Sequence, residues 1–202
     1  MTEQEKMKNG YLWADDEENM SLQACTKGLV SKFNSLPPED MAGREALLKE
    51  IFGDVGENVW IVPPLTAAVG KYVSIGEGTY ANMNLTLIDD WKITIGKNVL
   101  IGPNVTLSTT GHPVHPKHRA DGMYSFPVTI EDNVWIGANV VVLPGVTIGE
   151  NSVIGAGSVV TKDIPANVIA FGSPCKVHRE INEHDEEYYF KDRRFDEQPS
   201  DI

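Results

Sequence analysis

An aliphatic residue, often followed by glycine, recurs every six positions along two long blocks of the chain. The later block repeats Ile136-Gly137, Val142-Leu143, Ile148-Gly149, Ile154-Gly155 and Val160-Thr161. The earlier block has Val69-Gly70, Ile75-Gly76, Ala81-Asn82 and Leu87-Ile88, and it resumes two residues out of phase at Ile95-Gly96, Ile101-Gly102 and Leu107-Ser108. The spacing places this slip at Ile93-Thr94.

A period of six predicts a prism of short parallel strands in which every sixth side chain points to the axis. Glycine suits the corners, where a Cβ would strain the backbone, and β-branched residues suit the short flat strands. Each coil buries its inner face only by stacking on the next, so several coils must occur together. The alternative is a β-sandwich, but strands that alternate with a period of two do not produce Ile-Gly every six residues.

The segments on either side of the repeat lack this period. Two amphipathic helices are predicted before it, from about Asn19 to Phe33 and from about Glu39 to Phe52, with Pro37-Pro38 between them. After Pro165 the repeat stops, and Gly172-Ser173-Pro174 turns the chain into a polar tail. We therefore predict a helical cap over 1–58, a solenoid over 59–165 with an excursion loop at 108–127, and a C-terminal extension over 166–202.

Composition narrows the classes of partner. The 202 residues carry a formal net charge of -12, which disfavours nucleic acid and anionic lipid. An anionic cofactor would need a local basic patch, for which Lys162, Lys176 and Arg179 are candidates. No apolar run has the roughly 18 residues of a membrane helix, and we expect a cytoplasmic protein. Cys25 and Cys175 suggest neither a disulfide framework nor a metal-binding pair.

The repeat is interrupted between Leu107 and Val128 by a long polar segment. Insertions in a solenoid leave as loops, and loops on a rigid scaffold often carry binding and catalytic residues. Three of the five histidines lie in this segment, at His112, His115 and His118. Because Lys117 and Arg119 flank His118, we expect that ring to be simply exposed. Pro113 biases His112 toward an extended backbone.

From about Lys6 to Asp192 the chain resembles the galactoside acetyltransferases, with the maltose and nodulation acetyltransferases beside them. The stretches that carry the resemblance are Phe52-Gly-Asp-Val-Gly-Glu-Asn, Tyr80-Ala-Asn-Met-Asn-Leu-Thr, Asp89-Asp90, Thr110-Gly-His-Pro-Val-His, Met123-Tyr-Ser-Phe-Pro, Asn133-Val-Trp-Ile-Gly and Gly155-Ala-Gly-Ser-Val-Val-Thr-Lys-Asp. The resemblance implies a mainly β fold, a left-handed parallel β-helix. It also implies acetyl-CoA as co-substrate without a metal, a sugar acceptor acetylated at its 6-hydroxyl, and a homotrimer with active sites between subunits.

The same resemblance assigns roles to individual residues. It implies His112 as the general base, Asn82 as a catalytic and acceptor-binding residue, and Asp15, Asp90 and Met123 as further acceptor contacts. The cofactor contacts it implies are Trp135, Ala138, Ala156, Thr161, Lys162, Lys176 and Arg179. The chemistry agrees with these roles, because imidazole, with an unperturbed pKa near ~6.5, suits removal of a proton from a sugar hydroxyl.

Three departures leave the acceptor open. Ala138 stands where galactoside enzymes commonly have Ser, Ala68 replaces a polar acceptor-site residue, and Lys176 replaces an Arg. A maltose or glucose O-acetyltransferase therefore remains an alternative to a galactoside enzyme.

Two other classes of function compete with acetyl transfer. One is a metal-dependent hydratase, because the γ-class carbonic anhydrases share this solenoid and bind zinc through three histidines. The downstream coils, 128–165, contain no histidine, which disfavours it. The other is a non-catalytic trimeric scaffold, since a fold by itself does not prove a function. The joint presence of His112, Asn82 and Asp90 argues against that scaffold.

Overall fold

The computed structural model describes residues 1–197, which begin with three helices: α1 (Glu3–Lys8), α2 (Glu17–Ser35) and α3 (Met41–Ile51). Each helix has an N-cap residue, Thr2, Asp16 and Asp40 respectively, whose side chain accepts a hydrogen bond from a backbone N–H of the first turn. The two predicted helices are confirmed as α2 and α3, whereas α1 was not predicted. No helix within 1–197 is long and apolar enough to cross a membrane.

Short strands then wind into a parallel β-solenoid. Its first three coils are β1 (Asp54–Val55), β2 (Trp60–Ile61) and β3 (Leu65–Ala67); β4 (Val73–Ile75), β5 (Tyr80–Ala81) and β6 (Leu85–Ile88); and β7 (Ile93–Ile95), β8 (Leu100–Ile101) and β9 (Thr106–Ser108). The excursion follows, with β10 (Thr110–Gly111), a 3₁₀ turn (Pro116–His118) and β11 (Tyr124–Ser125). Two more coils are β12 (Val128–Ile130), β13 (Trp135–Ile136) and β14 (Val141–Val142), then β15 (Thr147–Ile148), β16 (Val153–Ile154) and β17 (Val159–Val160).

Three parallel sheets form the faces of the prism. Sheet 1 contains β1, β4, β7, β12 and β15; sheet 2 contains β2, β5, β8, β13 and β16; and sheet 3 contains β3, β6, β9, β14 and β17. Axial side chains pair in register down each sheet, as Leu107 does with Val142 in sheet 3, and these two are fully buried. The mainly β, hexapeptide-repeat fold class is therefore confirmed.

Asparagines with a left-handed backbone hold two edges of the prism. Where sheet 2 meets sheet 3, which we call edge 2–3, Asn84 Nδ2 donates to Asn104 Oδ1 (2.8 Å) and Asn104 Nδ2 donates to Asn139 Oδ1 (3.1 Å). A similar ladder on edge 1–2 joins Asn98, Asn133, Asn151 and Asn167. Asn tolerates the left-handed region better than other side-chain-bearing residues, so these edges turn tightly and regularly.

The third edge, where sheet 3 passes to sheet 1 and which we call edge 3–1, collects the irregularities. Ala67 pairs with Leu87 in sheet 3, so the next axial residue, Ile75 or Ile95, follows eight positions later instead of six. Two parts of the sequence-based prediction were wrong here. Val69 is buried on the edge and is not one of the axial residues that pair between strands. The slip lies before Ile93 and not at Ile93-Thr94, because Ile93 already pairs in register with Val73.

The solenoid is also longer than the predicted span of 59–165. It begins at Asp54, whose strand pairs with β4, and it includes β18 (Val168–Gly172), which is parallel to β16. Beyond it come β19 (Cys175–Glu180), antiparallel to β18, then α4 (Glu183–Glu187), β20 (Tyr188–Phe190), β21 (Arg193–Arg194) and a 3₁₀ turn (Phe195–Glu197). The last five residues of the predicted extension, 198–202, lie outside the described residues.

Candidate active site

The excursion leaves the solenoid at edge 3–1 and folds back as a small antiparallel ribbon. Thr110 pairs with Ser125 and Gly111 with Tyr124. The segment before α2 joins this ribbon, since the backbone N–H of Trp13 donates to the Met123 carbonyl (2.9 Å) and that of Met123 donates to the Trp13 carbonyl (2.8 Å). The ribbon therefore carries Met123 and tethers the chain just before Asp15 to the base of the loop that bears His112.

A buried chain of side-chain hydrogen bonds links the same elements. Trp13 Nε1 donates to Ser125 Oγ (3.0 Å), and Ser125 Oγ lies 2.7 Å from Thr110 Oγ1. The Thr110 hydroxyl in turn lowers the pKa of the Asp90 carboxyl. Trp13 and Ser125 are each 1% exposed, so the chain is shielded from water along most of its length.

Two adjacent carboxylates on edge 3–1 have different surroundings. Asp89 is fully buried and accepts backbone N–H bonds from Ala68 (2.7 Å), Val69 (3.3 Å) and Gly70, so it holds the edge together. Burial raises the pKa of the Asp89 carboxyl, and those backbone bonds oppose the rise. Asp89 is therefore a structural residue.

Asp90 is the carboxylate that remains available. It is half-buried, and its pKa is raised mainly by desolvation; the Thr110 hydrogen bond lowers that pKa and the negative charge of Asp15 raises it. Asp15 itself is exposed and accepts a hydrogen bond from Gln23 Nε2 at 3.3 Å. Two neighbouring carboxylates with free acceptor positions suit a ligand that carries several hydroxyl groups.

The three histidines of the excursion differ in their partners. His115 Nδ1 accepts the backbone N–H of Lys117 (3.2 Å), and His118 Nδ1 lies 2.7 Å from Asp121 Oδ2. The exposed ring of His112 makes no hydrogen bond to any residue within 1–197. Of the three, His112 is the one with both ring nitrogens unbonded within the described residues.

A second group of predicted residues lies on edge 2–3. Asn82 begins its turn in coil 2, and its Oδ1 accepts the backbone N–H of Met83 (2.8 Å), which leaves the side-chain N–H donors unused within the described residues. The left-handed backbone belongs to Asn84 and not to Asn82. Ala138 and Ala156 occupy the same edge in coils 4 and 5. A Cβ on Gly137 would lie only 2.6 Å from the Ala156 nitrogen, so the two coils are in close contact at position 137.

The remaining predicted cofactor residues continue toward the C-terminal end of the prism. Trp135 projects from sheet 2 with 54% of its surface exposed, Thr161 and Lys162 follow β17, and Lys176 lies on β19. Trp135 therefore borders edge 2–3, whereas Thr161 and Lys162 lead from sheet 3 toward sheet 1 and lie on edge 3–1.

Arg179, also on β19, does not present a free guanidinium. Its Nη1 and Nη2 each donate at 2.6 Å to the two carboxylate oxygens of Asp185. This pairing lowers the pKa of Asp185 to about 2. An anionic ligand that reaches Arg179 therefore has to share it with Asp185, or to replace that carboxylate.

The predicted site residues thus form two groups on two edges of one chain. His112, Asp90, Asp15 and Met123 gather at edge 3–1, and Asn82, Ala138 and Ala156 lie along edge 2–3. Sequence reasoning missed Trp13, Thr110 and Ser125, although Thr110 and Ser125 fall inside two of the quoted motifs. Within 1–197, no group of three or more His, Cys, Asp or Glu side chains is placed to hold a metal ion.

Two family models match the chain: "Bacterial transferase hexapeptide (six repeats)" over residues 127–162 and "Maltose acetyltransferase hexapeptide capping motif" over residues 6–56. The galactoside O-acetyltransferase of Escherichia coli (strain K12) is 56% identical over 190 residues, which cover 93% of this chain and 94% of that protein.

Two solved structures are similar along nearly their whole length. A galactoside acetyltransferase in complex with coenzyme A is 53% identical with a TM-score of 0.93, covering 96% of this chain and 98% of that one. A maltose O-acetyltransferase from Clostridium difficile 630 is 42% identical with a TM-score of 0.88, covering 91% and 99%.

Proposed function

The chain belongs to the family of the galactoside and maltose O-acetyltransferases, and we propose that this acetyl-CoA-dependent sugar O-acetyltransferase works by direct transfer with His112 as the general base. The observation that carries the proposal is the free, exposed ring of His112 on the excursion that also places Asp90, Asp15 and Met123. A positioned base and an acceptor site are what direct attack on a thioester requires.

The reaction balances without an enzyme nucleophile. The His112 ring takes the proton from the sugar hydroxyl as its oxygen bonds to the thioester carbonyl carbon, which leaves a tetrahedral oxyanion. The side-chain N–H of Asn82 and the backbone N–H of Ala138 stabilise that charge. The C–S bond then breaks, the thiolate of coenzyme A takes the proton from the His112 imidazolium, and the acetyl ester leaves.

We assign the acceptor to the galactoside type, with the 6-hydroxyl as the acetylated group, and keep a maltose or glucose acceptor as the alternative. Asp90 and Asp15 supply carboxylate oxygens for the other hydroxyl groups. At Ala68 the side chain offers no hydroxyl and the backbone N–H is already bound to Asp89. Position 68 therefore lacks the polar contact to the sugar that is typical of the galactoside branch. This loss favours an acceptor site that takes a wider range of sugars.

The division of the site between two edges supports a homotrimer. Edge 3–1 of one chain brings the base and acceptor contacts, and edge 2–3 of the next chain brings Asn82, Ala138 and Ala156. Three chains related by a threefold axis close this arrangement with three equivalent sites. The excursion leaves the solenoid between coils 3 and 4, and Trp135 and Ala138 lie in coil 4. The residues of edge 3–1 and those of edge 2–3 therefore lie at similar positions along the prism axis.

The general base is tested by His112→Ala, with His115→Ala from the same loop as the matched control. Loss of the base should lower kcat roughly 10²- to 10⁴-fold, while the Kd of acetyl-CoA stays within about twofold of wild type. His115→Ala should retain nearly full turnover. Wild-type turnover in His112→Ala would overturn the proposed base.

The inter-subunit site is tested by co-expressing two inactive variants under separate affinity tags. In a mixed trimer of His112→Ala and Asn82→Ala chains, one of the three sites combines an intact His112 with an intact Asn82. Random assembly then restores about one quarter of wild-type activity. Mixing His112→Ala with Asp90→Ala restores none, because both residues belong to the same edge. Equal recovery in both mixtures would contradict the shared site.

A further inference from the structure

We propose that Phe171 and His178 form an aromatic platform on which the adenine ring of acetyl-CoA stacks, at the C-terminal end of edge 2–3. This rests on the proposed function, in which the backbone N–H of Ala138 lies at the thioester. Neither aromatic residue is among those that the sequence predicts for the site.

One corner position of edge 2–3 recurs in consecutive coils, directly after the axial residue of sheet 2. Asn82 occupies it in coil 2, and glycine occupies it in the next three coils, at Gly102, Gly137 and Gly155. Phe171 has the same position in β18, the next parallel strand of sheet 2. A Cβ on Gly155 would lie 2.8 Å from Phe171 Cβ, so these two corners are stacked directly. The glycine-lined stretch of the edge therefore ends on an aromatic side chain.

The distance along the axis suits the nucleotide end of the cofactor. Phe171 lies two strands of sheet 2 beyond the coil of Ala138, and neighbouring strands are about 4.8 Å apart, which gives about 10 Å along the axis. An extended pantetheine arm is longer than that. An arm that lies along this edge therefore brings the nucleotide to β18 and β19, the strands that carry Phe171 and His178.

The two rings are exposed and lie against each other. Phe171 keeps 47% of its surface exposed, and its ring centroid lies 4.8 Å from that of His178 with 45° between the ring planes. The exposed His178 ring makes no hydrogen bond to any residue within 1–197. The contact restricts the Phe171 ring and covers only part of it. The remainder is a flat apolar surface of the kind on which bases stack.

A basic side chain accompanies the rings, although the chain as a whole carries a net charge of -12. Lys176 pairs with Phe171 between β18 and β19, so their side chains project from the same face of this hairpin. An adenine nucleotide combines a flat base with phosphate groups, and this face combines a flat ring with an ammonium group. Lys176 has no planar group that can stack on a base, unlike the Arg that it replaces, and Phe171 supplies one.

The test compares Phe171→Leu, which keeps an apolar side chain and removes the flat ring, with Phe171→Trp, which keeps a ring. Phe171→Leu should raise the Kd of coenzyme A in calorimetry roughly tenfold, as expected for the loss of one base-stacking contact. Phe171→Trp should bind coenzyme A at least as tightly as the wild type. In saturation-transfer NMR, the adenine H2 and H8 signals should weaken in Phe171→Leu relative to the pantoyl methyl signals.

A truncated donor separates stacking from a general disturbance of the edge. S-acetyl-4′-phosphopantetheine carries the same thioester and arm without the adenosine. Phe171→Leu should lower kcat/KM for acetyl-CoA roughly tenfold and leave kcat/KM for the truncated donor within about twofold of wild type.

Phe190→Leu is the matched control, since Phe190 is an exposed phenylalanine of the C-terminal extension, with 58% of its surface exposed. It should change neither the Kd of coenzyme A nor either kcat/KM. His178→Ala should raise the Kd of coenzyme A less than Phe171→Leu does, because the Phe171 ring is still present but less restricted.

If the wild type binds coenzyme A and Phe171→Leu changes neither the Kd nor the adenine signals, the platform is overturned. Equal losses of kcat/KM for the two donors would overturn it as well, since a stacking contact acts only on the donor that has a base. If the wild type transfers acetyl from neither donor, the proposed function fails, whatever the substitutions at Phe171 do.

Discussion

Gly111 immediately precedes the proposed base, and replacing it by Ala tests how closely the loop is fitted. The backbone of Gly111 is not in the left-handed region, so alanine meets no backbone strain there. Its Cβ would lie 2.4 Å from Tyr124 Oη and 2.6 Å from Tyr124 Cζ, where ordinary contact begins at 3.4 Å. The ring or the ribbon must therefore move by about 1 Å, and a displacement of that size next to a catalytic group costs on the order of 10²-fold.

Stability should change much less than activity. Tyr124 is half-buried and has room to move outward, so the overpacking cost falls near the low end of the usual range, about 1 kcal/mol. For a chain of this length that lowers Tm by about 2 to 4 °C. Steady-state kinetics with acetyl-CoA and sugar, together with calorimetry, measure the two effects on the same preparation.

Tyr124→Leu provides the compensating change, because it removes the ring atoms that the new methyl group meets. The Gly111→Ala/Tyr124→Leu double variant should recover to within about threefold of Tyr124→Leu alone. Gly28→Ala is the matched control, since nothing lies within 4 Å of a Cβ at that exposed position of α2. It should leave activity unchanged and raise stability by roughly 0.5 to 1 kcal/mol. Full turnover in Gly111→Ala would refute the steric reasoning.

Three further predictions concern carboxylates. Asp89→Asn removes one acceptor oxygen from the buried backbone N–H groups of residues 68–70, so the free energy of unfolding in urea should fall by about 2 to 4 kcal/mol; an unchanged midpoint would contradict the structural role. Asp185→Asn frees Arg179 for an anionic ligand and should lower the Kd of coenzyme A in calorimetry, but not that of 3′-dephospho-coenzyme A; equal effects on both would exclude a contact between Arg179 and the 3′-phosphate. The Asp185 pKa is lowered from 3.8 to about 2, so its pairing stabilises the fold above about pH 4 and is lost as pH falls toward 2; an NMR titration midpoint near 4 would contradict this.

The repeat made most of the fold predictable, because the six-residue period is imposed by the prism itself. Ile136 and Ile154 lie on the axis, fully buried, as the period requires. The phase of the first block was less predictable, since Ala67 and Val69 are both apolar and both buried and only strand pairing distinguishes them. Helix α1 was missed because its six residues are too few to show an amphipathic period.

The chemistry of the site was predictable where a motif carried it, and not where the contacts are long-range. His112 and Asp90 stand in recognisable stretches of sequence. The bond from Trp13 to Ser125 spans 112 residues, and isolated hydroxyl side chains have no periodic pattern. The resemblance implied active sites between subunits, but the repeat alone did not assign each predicted residue to an edge, because that depends on which corner of the prism each hexad turns.

The two edges perform different tasks because their packing tolerates different changes. On edge 2–3 the next coil approaches so closely that a Cβ on Gly102 would lie 2.8 Å from the Ala138 nitrogen, which leaves no room for a bulky side chain at that position. Such an edge suits a thin, extended ligand laid along the axis. On edge 3–1 the chain adds residues without disturbing the core, since Leu87, Leu107 and Val142 remain stacked in register across both the added pair and the excursion. Polar and charged side chains such as Asp90 and His112 therefore find room on edge 3–1, and in the proposed trimer that edge would meet edge 2–3 of a neighbour.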